Sequence, residues 1–231
     1  SDSRTRDYLS EFALKHTALV TLLRNERAAG YTRAANRALK QSSADYAVLL
    51  NSDAVVTPEW LDRLIACCDS DPHIGLAGPL SNTASWQSIP DIEFQGDWAS
   101  NELRPEMSIE QMSRLIANHS ARLYPRMPFL NGFCLLIRRQ VLQAVGYFDE
   151  ESFGEGYGEE NDYCLRAQKA GWHLALADDA YVYHAQSRSY SHETRKRLCE
   201  NANWTLAKKH GQGIISEGVA YCRCNRVLEG I

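Results

Sequence analysis

"DYAVLLNSDAVVTPEWLDRL", residues 45–64, decides the fold. Its apolar run ends abruptly at Asn51, Ser52 and Asp53 and resumes with Ala54, Val55 and Val56. A short continuous apolar run bounded by polar residues reads as a buried strand. Thr57, Pro58 and Glu59 then read as a helix start, with a capping hydroxyl at the boundary and proline where no amide donor is needed. "EWLDRLIACC" is the helix, and "IGLAGPL" (74–80) a second strand ended by Gly78 and Pro79. Strand, helix and strand in that order predict a parallel βαβ unit. Asp53 therefore falls at the carboxyl end of a buried strand, where open α/β sheets bind ligands. An aspartate there can hold a metal or cap a turn.

Working outward toward the N-terminus, the pattern predicts a helix near 5–16, a strand over "ALVTLLRN" (18–25) and a helix over "TRAANRALKQ" (32–41). On the other side, residues 81–107 are polar and irregular and contain Trp86, Gln87 and Trp98, which suggests a functional loop or lid. A helix over 108–120, a strand over "FLNGFCLLI" (129–137), a helix from about 139, a helix over 159–170 and a strand within 173–184 come next. "SHETRKRLCENANWTLAKKH" (191–210) reads as a basic helix. The chain shows no internal repeat.

Composition bounds the function. The 231 residues, 44% of them hydrophobic, suffice for one domain or one domain with an appendage. A formal charge of -4 with both signs interspersed offers no broad electropositive face, so nucleic acid is not an expected partner. The seven cysteines are odd in number, lie mostly in apolar segments and follow no secretory signal, which points to reduced thiols and a cytoplasmic location. Cys222 and Cys224 form a CxC without a second pair or a spaced histidine, and read as two thiols near a helix end rather than a zinc site. No stretch reaches the roughly twenty apolar residues that span a bilayer.

Two further places carry chemistry. In "FGEGYGEEND" (153–162), Gly154, Gly156 and Gly158 allow tight turns that lead into Glu159, Glu160, Asn161 and Asp162 at a helix start. Acids gain there from the helix dipole, and a glycine-rich approach also lets a carboxylate face a bound substrate. Arg166, four residues after Asp162, is placed to brace the helix. His184 comes after the apolar "AYVY", again at the end of an element, where a neutral imidazole can ligate a divalent ion. With Asp53 it forms a candidate ligand pair that leaves positions open for substrate oxygens.

The order of "GYTRAANRAL" (30–39), "DYAVLLNSDAVVTPEWLDRL" (45–64), "IGLAGPLSN" (74–82), "FLNGFCLLIRR" (129–139), "GYGEENDYCLRAQKAGW" (156–172) and "DDAYVYH" (178–184) resembles the inverting glycosyltransferases of family 2. The resemblance implies a GT-A (Rossmann-like) α/β fold: a mixed, mainly parallel sheet flanked by helices, over residues 1–190, with residues 191–231 as a C-terminal helical extension. It implies sugar transfer from a nucleotide-diphospho-sugar donor to a glycan or other hydroxyl acceptor. "NSD" resembles the family's DxD-type motif with Asn51 in place of the first acid, so Asp53 and His184 are the expected ligands of Mn2+ or Mg2+. "EEND" resembles the family's "EDxD" stretch, which makes Glu160 the expected catalytic base, with Glu159 and Asp162 orienting the acceptor or the helix. Arg33, Asn36, Asn51, Gly132 and Trp86 are the expected substrate contacts.

"SDSRTRDYL" at the start resembles the part of the family's domain that lies beyond its first strand, helix and strand, so a truncated domain with an incomplete nucleotide-binding half is expected. An open sheet edge there would favour self-association. The basic helix from Ser191 is expected either to rest peripherally on an anionic membrane at its inner face or to form a solvated face. The competing readings are a non-catalytic carbohydrate- or partner-binding module on the same scaffold and a phosphohydrolase using Asp53, Glu160 and His184.

Overall fold

The computed structural model describes residues 3–27, 29–154, 156–186 and 192–230. In chain order the elements are α1 (Ser3–Lys15), α2 (Tyr31–Gln41), β1 (Tyr46–Leu50), β2 (Ala54–Val55), α3 (Trp60–Asp69), β3 (Ile74–Leu80), β4 (Glu93–Phe94), β5 (Asp97–Trp98), α4 (Ile109–His119), β6 (Cys134–Arg138), α5 (Arg139–Val145), α6 (Glu159–Lys169), β7 (His173–Tyr181), β8 (Tyr183–His184), α7 (His192–His210), α8 (Gln212–Arg223) and α9 (Arg226–Glu229). Ser191, the expected first residue of the basic helix, lies outside the described residues.

The main sheet has the order β1-β6-β3-β7. β6 runs antiparallel to both β1 and β3, while β3 and β7 are parallel. Three strands thus point the same way and one is reversed between them. The expected βαβ unit is present as β1, α3 and β3, but its two strands do not touch, because β6 is inserted between them. The sheet is mixed, and an apolar run such as "CLLIR" carries no sign of its direction.

Side chains alternate across the sheet with the two-residue period of a strand. Leu135 and Ile137 of β6 join a cluster with Leu39 of α2, Val141 of α5 and Tyr163 of α6, whereas Cys134 and Leu136 join Leu64, Cys67 and Cys68 of α3. Helices cover both faces, which is why a central strand such as β3 is apolar along its length, with all seven of its residues buried. Trp172 packs over Gly75, where an added Cβ would lie 3.0 Å from the indole, so this tryptophan belongs to the core.

Three local expectations are corrected. Residues 18–25 form no strand; the chain leaves α1 through a turn, and Leu19 is 88% exposed. Strand propensity there finds no ladder partner among the described residues. Thr57 does not cap α3: its hydroxyl donates to the Tyr181 carbonyl (2.7 Å) and accepts from Ser113 (3.0 Å), while Glu59 precedes the helix in a left-handed conformation. Gly78 and Pro79 do not end β3 but lie within it. The segment 81–107 is ordered by a 3-10 turn at Ser85–Gln87 and a small hairpin of β4 and β5. Gln95 and Gly96 both have positive φ in that hairpin's two-residue loop, as such tight connections require.

Candidate active site

β1, β3 and β7 all end on one side of the sheet, and the site is built there. Beyond β1 the chain turns at Asn51, whose N–H donates to the Phe133 carbonyl (2.8 Å) and whose carbonyl accepts from Ala54 (3.1 Å). β2 then pairs antiparallel with β8, Ala54 lying opposite His184. This two-residue ribbon brings Asp53 to His184, with Oδ1 and Nε2 3.5 Å apart. Asn82, just past β3, fixes the histidine backbone by accepting from its N–H (2.7 Å) and donating to its carbonyl (3.0 Å). The imidazole stacks on Phe133 with ring centroids 4.9 Å apart.

Nδ1 of His184 lies 3.0 Å from the Thr83 carbonyl, which can only accept, so Nδ1 carries a hydrogen, and in the neutral ring Nε2 presents its lone pair on the Asp53 side. That is the tautomer a metal-binding imidazole needs. The donor set fits a divalent cation: one carboxylate and one oriented imidazole. Among the described residues no group of three or more His, Cys, Asp or Glu is arranged to hold an ion, so the remaining coordination positions would fall to ligand oxygens.

The second half of the site is the start of α6. Gly158, the residue before it, has φ 87°, and a Cβ added there would sit 2.9 Å from Ala202 and 3.1 Å from the Phe153 ring. Only glycine meets both demands. Glu160 is half-buried and lies against Gly132, whose added Cβ would be 3.4 Å from the Glu160 Cβ. The loop Asn131–Phe133 therefore touches Glu160 through Gly132, His184 through the Phe133 ring and Asn51 through the Phe133 carbonyl. Gln87 supports that loop: its Oε1 accepts from the Asn131 N–H (2.6 Å), and its amide donates to the Pro79 carbonyl (2.7 Å) in the space that Gly78 leaves free.

The three acids of α6 differ sharply. Glu159 is 5% exposed; burial, and then the neighbouring Glu160 charge, push its carboxyl up to about 8. Burial also raises Glu160. Tyr31, the first residue of α2, faces both, and its phenol is pushed up by burial and by the two carboxyls. Asp162 is fully buried and takes hydrogen bonds from Arg166, Lys209 and His210, each at 2.7 Å. Burial alone would raise it, but Lys209, His210 and Arg166 outweigh that and hold it low. Its carboxylate is committed to joining α6 to the end of α7.

The remaining expected contacts are Asn36, Arg33 and Trp86, of which Trp86 lies between Ser85 and Gln87, both hydrogen-bonded to Asn131. Asn36 is buried and clamps the 148–150 segment, donating to the Phe148 carbonyl (2.9 Å) and Glu150 (2.8 Å) while accepting from the Phe148 N–H (3.0 Å). Arg33 is exposed, with Nε 3.9 Å from Glu150. Trp86 meets Trp98 edge-on at 5.0 Å and lines a cavity of about 420 Å³ with Ile89, Ile92, Cys222 and Leu228. Sequence reasoning assigned no role to Asn82, Thr83, Phe133 or Tyr31, and placed Gln87 only within a functional loop. Asn82 and Phe133 lay inside quoted motifs, but a backbone clamp and a stacking ring have no spacing signature.

Known proteins fit this picture. An N-acetylglucosaminyl-diphospho-decaprenol L-rhamnosyltransferase of Mycobacterium tuberculosis is 25% identical over 229 residues, covering 91% of this chain and 74% of that protein. An uncharacterized protein of Sinorhizobium fredii is 26% identical over 189 residues, 75% of this chain but only 19% of its own length. A mannosyltransferase of Pyrobaculum calidifontis, solved with GDP-Man and Mn2+, superposes with a TM-score of 0.62 at 17% identity, over 97% of this chain and 59% of that one. The shared architecture is the GT-A fold. The model for "glycosyltransferase like family 2" matches residues 1–203, and this chain belongs to that family.

Proposed function

We propose that the chain transfers a sugar from a nucleotide-diphospho-sugar to an acceptor hydroxyl by a single in-line displacement that inverts the anomeric carbon. The observation that carries this reading is the Asn131–Phe133 loop, which sets a carboxylate, Glu160, and the Asp53–His184 pair against one short piece of backbone. Glu160 takes the acceptor proton as the oxygen attacks, and the nucleoside diphosphate departs. General-base help of this kind contributes about 10² to 10⁴ in rate. Asp53 Oδ1 and His184 Nε2 would hold Mn2+ or Mg2+, which when bound neutralises charge developing on the departing diphosphate.

Asn51 leaves this site one negative charge fewer than a two-acid motif. Arg33, exposed and only loosely paired with Glu150, suits phosphate oxygens. Asn36 positions the 148–150 segment, and Trp86 offers an aromatic face to an acceptor ring. Asp162 acts through structure, anchoring residues 191–231 as a buttress to the transferase unit of residues 1–190. The names of the relatives support a nucleotide-sugar donor and a glycan under construction on a lipid diphosphate as the acceptor class. Among the described residues no helix is long and apolar enough to cross a membrane.

The test is to incubate the protein with UDP-, GDP- and dTDP-sugars, Mn2+ and glycan acceptors, and to follow nucleoside diphosphate release and product anomer by NMR. Transfer with inverted configuration, reduced about 10² to 10⁴-fold in Glu160→Gln, is expected. Sugar binding that ignores chelator, without turnover, would instead mark a binding module.

A further inference from the structure

Glu159 and Glu160 are consecutive, yet their surroundings differ. Adjacent positions on a helix point about 100° apart. Glu160 lies along Gly132 and is half-buried, whereas Glu159 turns inward and is 5% exposed. Its Oε2 has no hydrogen-bond partner among the described residues. No described cation pairs with it, although Asp162 in the next turn takes Arg166, Lys209 and His210. An isolated ionised carboxylate in such a place is very costly, and two adjacent carboxyls cannot both ionise cheaply. Burial and the Glu160 charge act on Glu159 in the same direction, toward the protonated form, and outweigh the hydrogen bond from its own backbone N–H that favours the charged one.

We infer that Glu159 works as a neutral carboxylic acid, a positioning residue whose retained proton leaves the pair a single negative charge, placed on Glu160 for use as the base. This rests on the transferase reading above. In the reaction the acceptor oxygen bonds to the anomeric carbon, its proton passes to Glu160, and the bond to the diphosphate breaks with its electron pair on the leaving group. Glu159 keeps its own proton throughout. Loss of that proton at high pH places a second negative charge beside Glu160 and close to an anionic donor, so transfer declines on the alkaline side. Among the described residues, the other titratable groups facing the pair are Tyr31 from α2, against both acids, and Cys164 on α6 itself, against Glu160. Both are shifted upward, Cys164 to about 12, and stay neutral where Glu159 titrates.

Infrared difference spectroscopy tests the protonation directly on the whole chain at pH 7. The wild type minus Glu159→Gln spectrum is expected to show the carbonyl band of one carboxylic acid, and wild type minus Glu160→Gln the paired bands of a carboxylate. A carboxylate signature for Glu159, or an acid band that disappears in Glu160→Gln instead, overturns the inference. In transfer assays Glu159→Gln is expected to move the alkaline limb of the kcat/KM profile upward by more than about one pH unit; an unmoved limb counts against the inference. Absence of transfer in every variant would overturn the transferase reading alone, while the spectra still decide the state of Glu159.

Discussion

Glu159 and Asp162 sit three residues apart on one helix and differ in charge state, because no described cation meets the first while Arg166 and Lys209 both pair with the second. Their effects on stability should differ in sign. The folded pKa of Asp162 is depressed, so its contribution is complete above the ordinary aspartate range near 3.9 and is lost as pH falls through the lower folded value. Glu159 is raised from 4.5 to about 8, so the folded state holds the extra proton and stability falls as pH rises through that window. Melting temperature against pH should therefore flatten between about 4.5 and 8 in Glu159→Gln. Asp162→Ala should cost about 3 kcal/mol, the lower end for breaking a buried ion pair because Lys209 and Arg166 are partly exposed, and denaturant titration reads this. The positions of Asp53, His184 and Glu160 at strand and helix ends were legible, because apolar runs and turn residues mark those ends in the sequence. Asn82 was not, since an asparagine that clamps another residue's backbone looks like any loop asparagine until the fold closes.

Among the elements, legibility depended on whether a segment's partner could be inferred. Helices with their own signals, such as α4 with the Ser108–Gln111 capping box, were legible almost to the residue. The stretch 18–25 had strand composition without a ladder, and Thr57 had cap chemistry without cap geometry, since Tyr181 and Ser113 claim its hydroxyl. The reversal of β6 left no mark in its apolar run. The junction between Gly158 and α6 gives the sharpest prediction about an element. Gly158→Ala forces a Cβ against Ala202 at a positive φ, and should cost about 2 kcal/mol, or some 4–8 °C in melting temperature at this chain length. The same change should lower transfer, because the turn it disturbs delivers Glu160.

Across the protein as a unit, three strand ends, the β2–β8 ribbon and the start of α6 meet around the Asn131–Phe133 loop, and Asp162 ties the C-terminal helices to that arrangement. A ligand that engages several of these parts at once stabilises the folded chain by mass action, about 2.7 kcal/mol at a hundredfold excess over Kd. Mn2+ together with a nucleoside diphosphate should raise the melting temperature more than either alone. The convergence was legible only through the order of several motifs; the path of the chain that produces it was not. Calorimetric titration of UDP- and dTDP-sugars with and without Mn2+, on the wild type and on Asp53→Ala, tests the metal-assisted donor site head-on. Binding that requires Mn2+ and weakens at least about tenfold in Asp53→Ala, roughly 1.4 kcal/mol, is the expected outcome. Equal affinity in the presence of chelator and in the variant would contradict it.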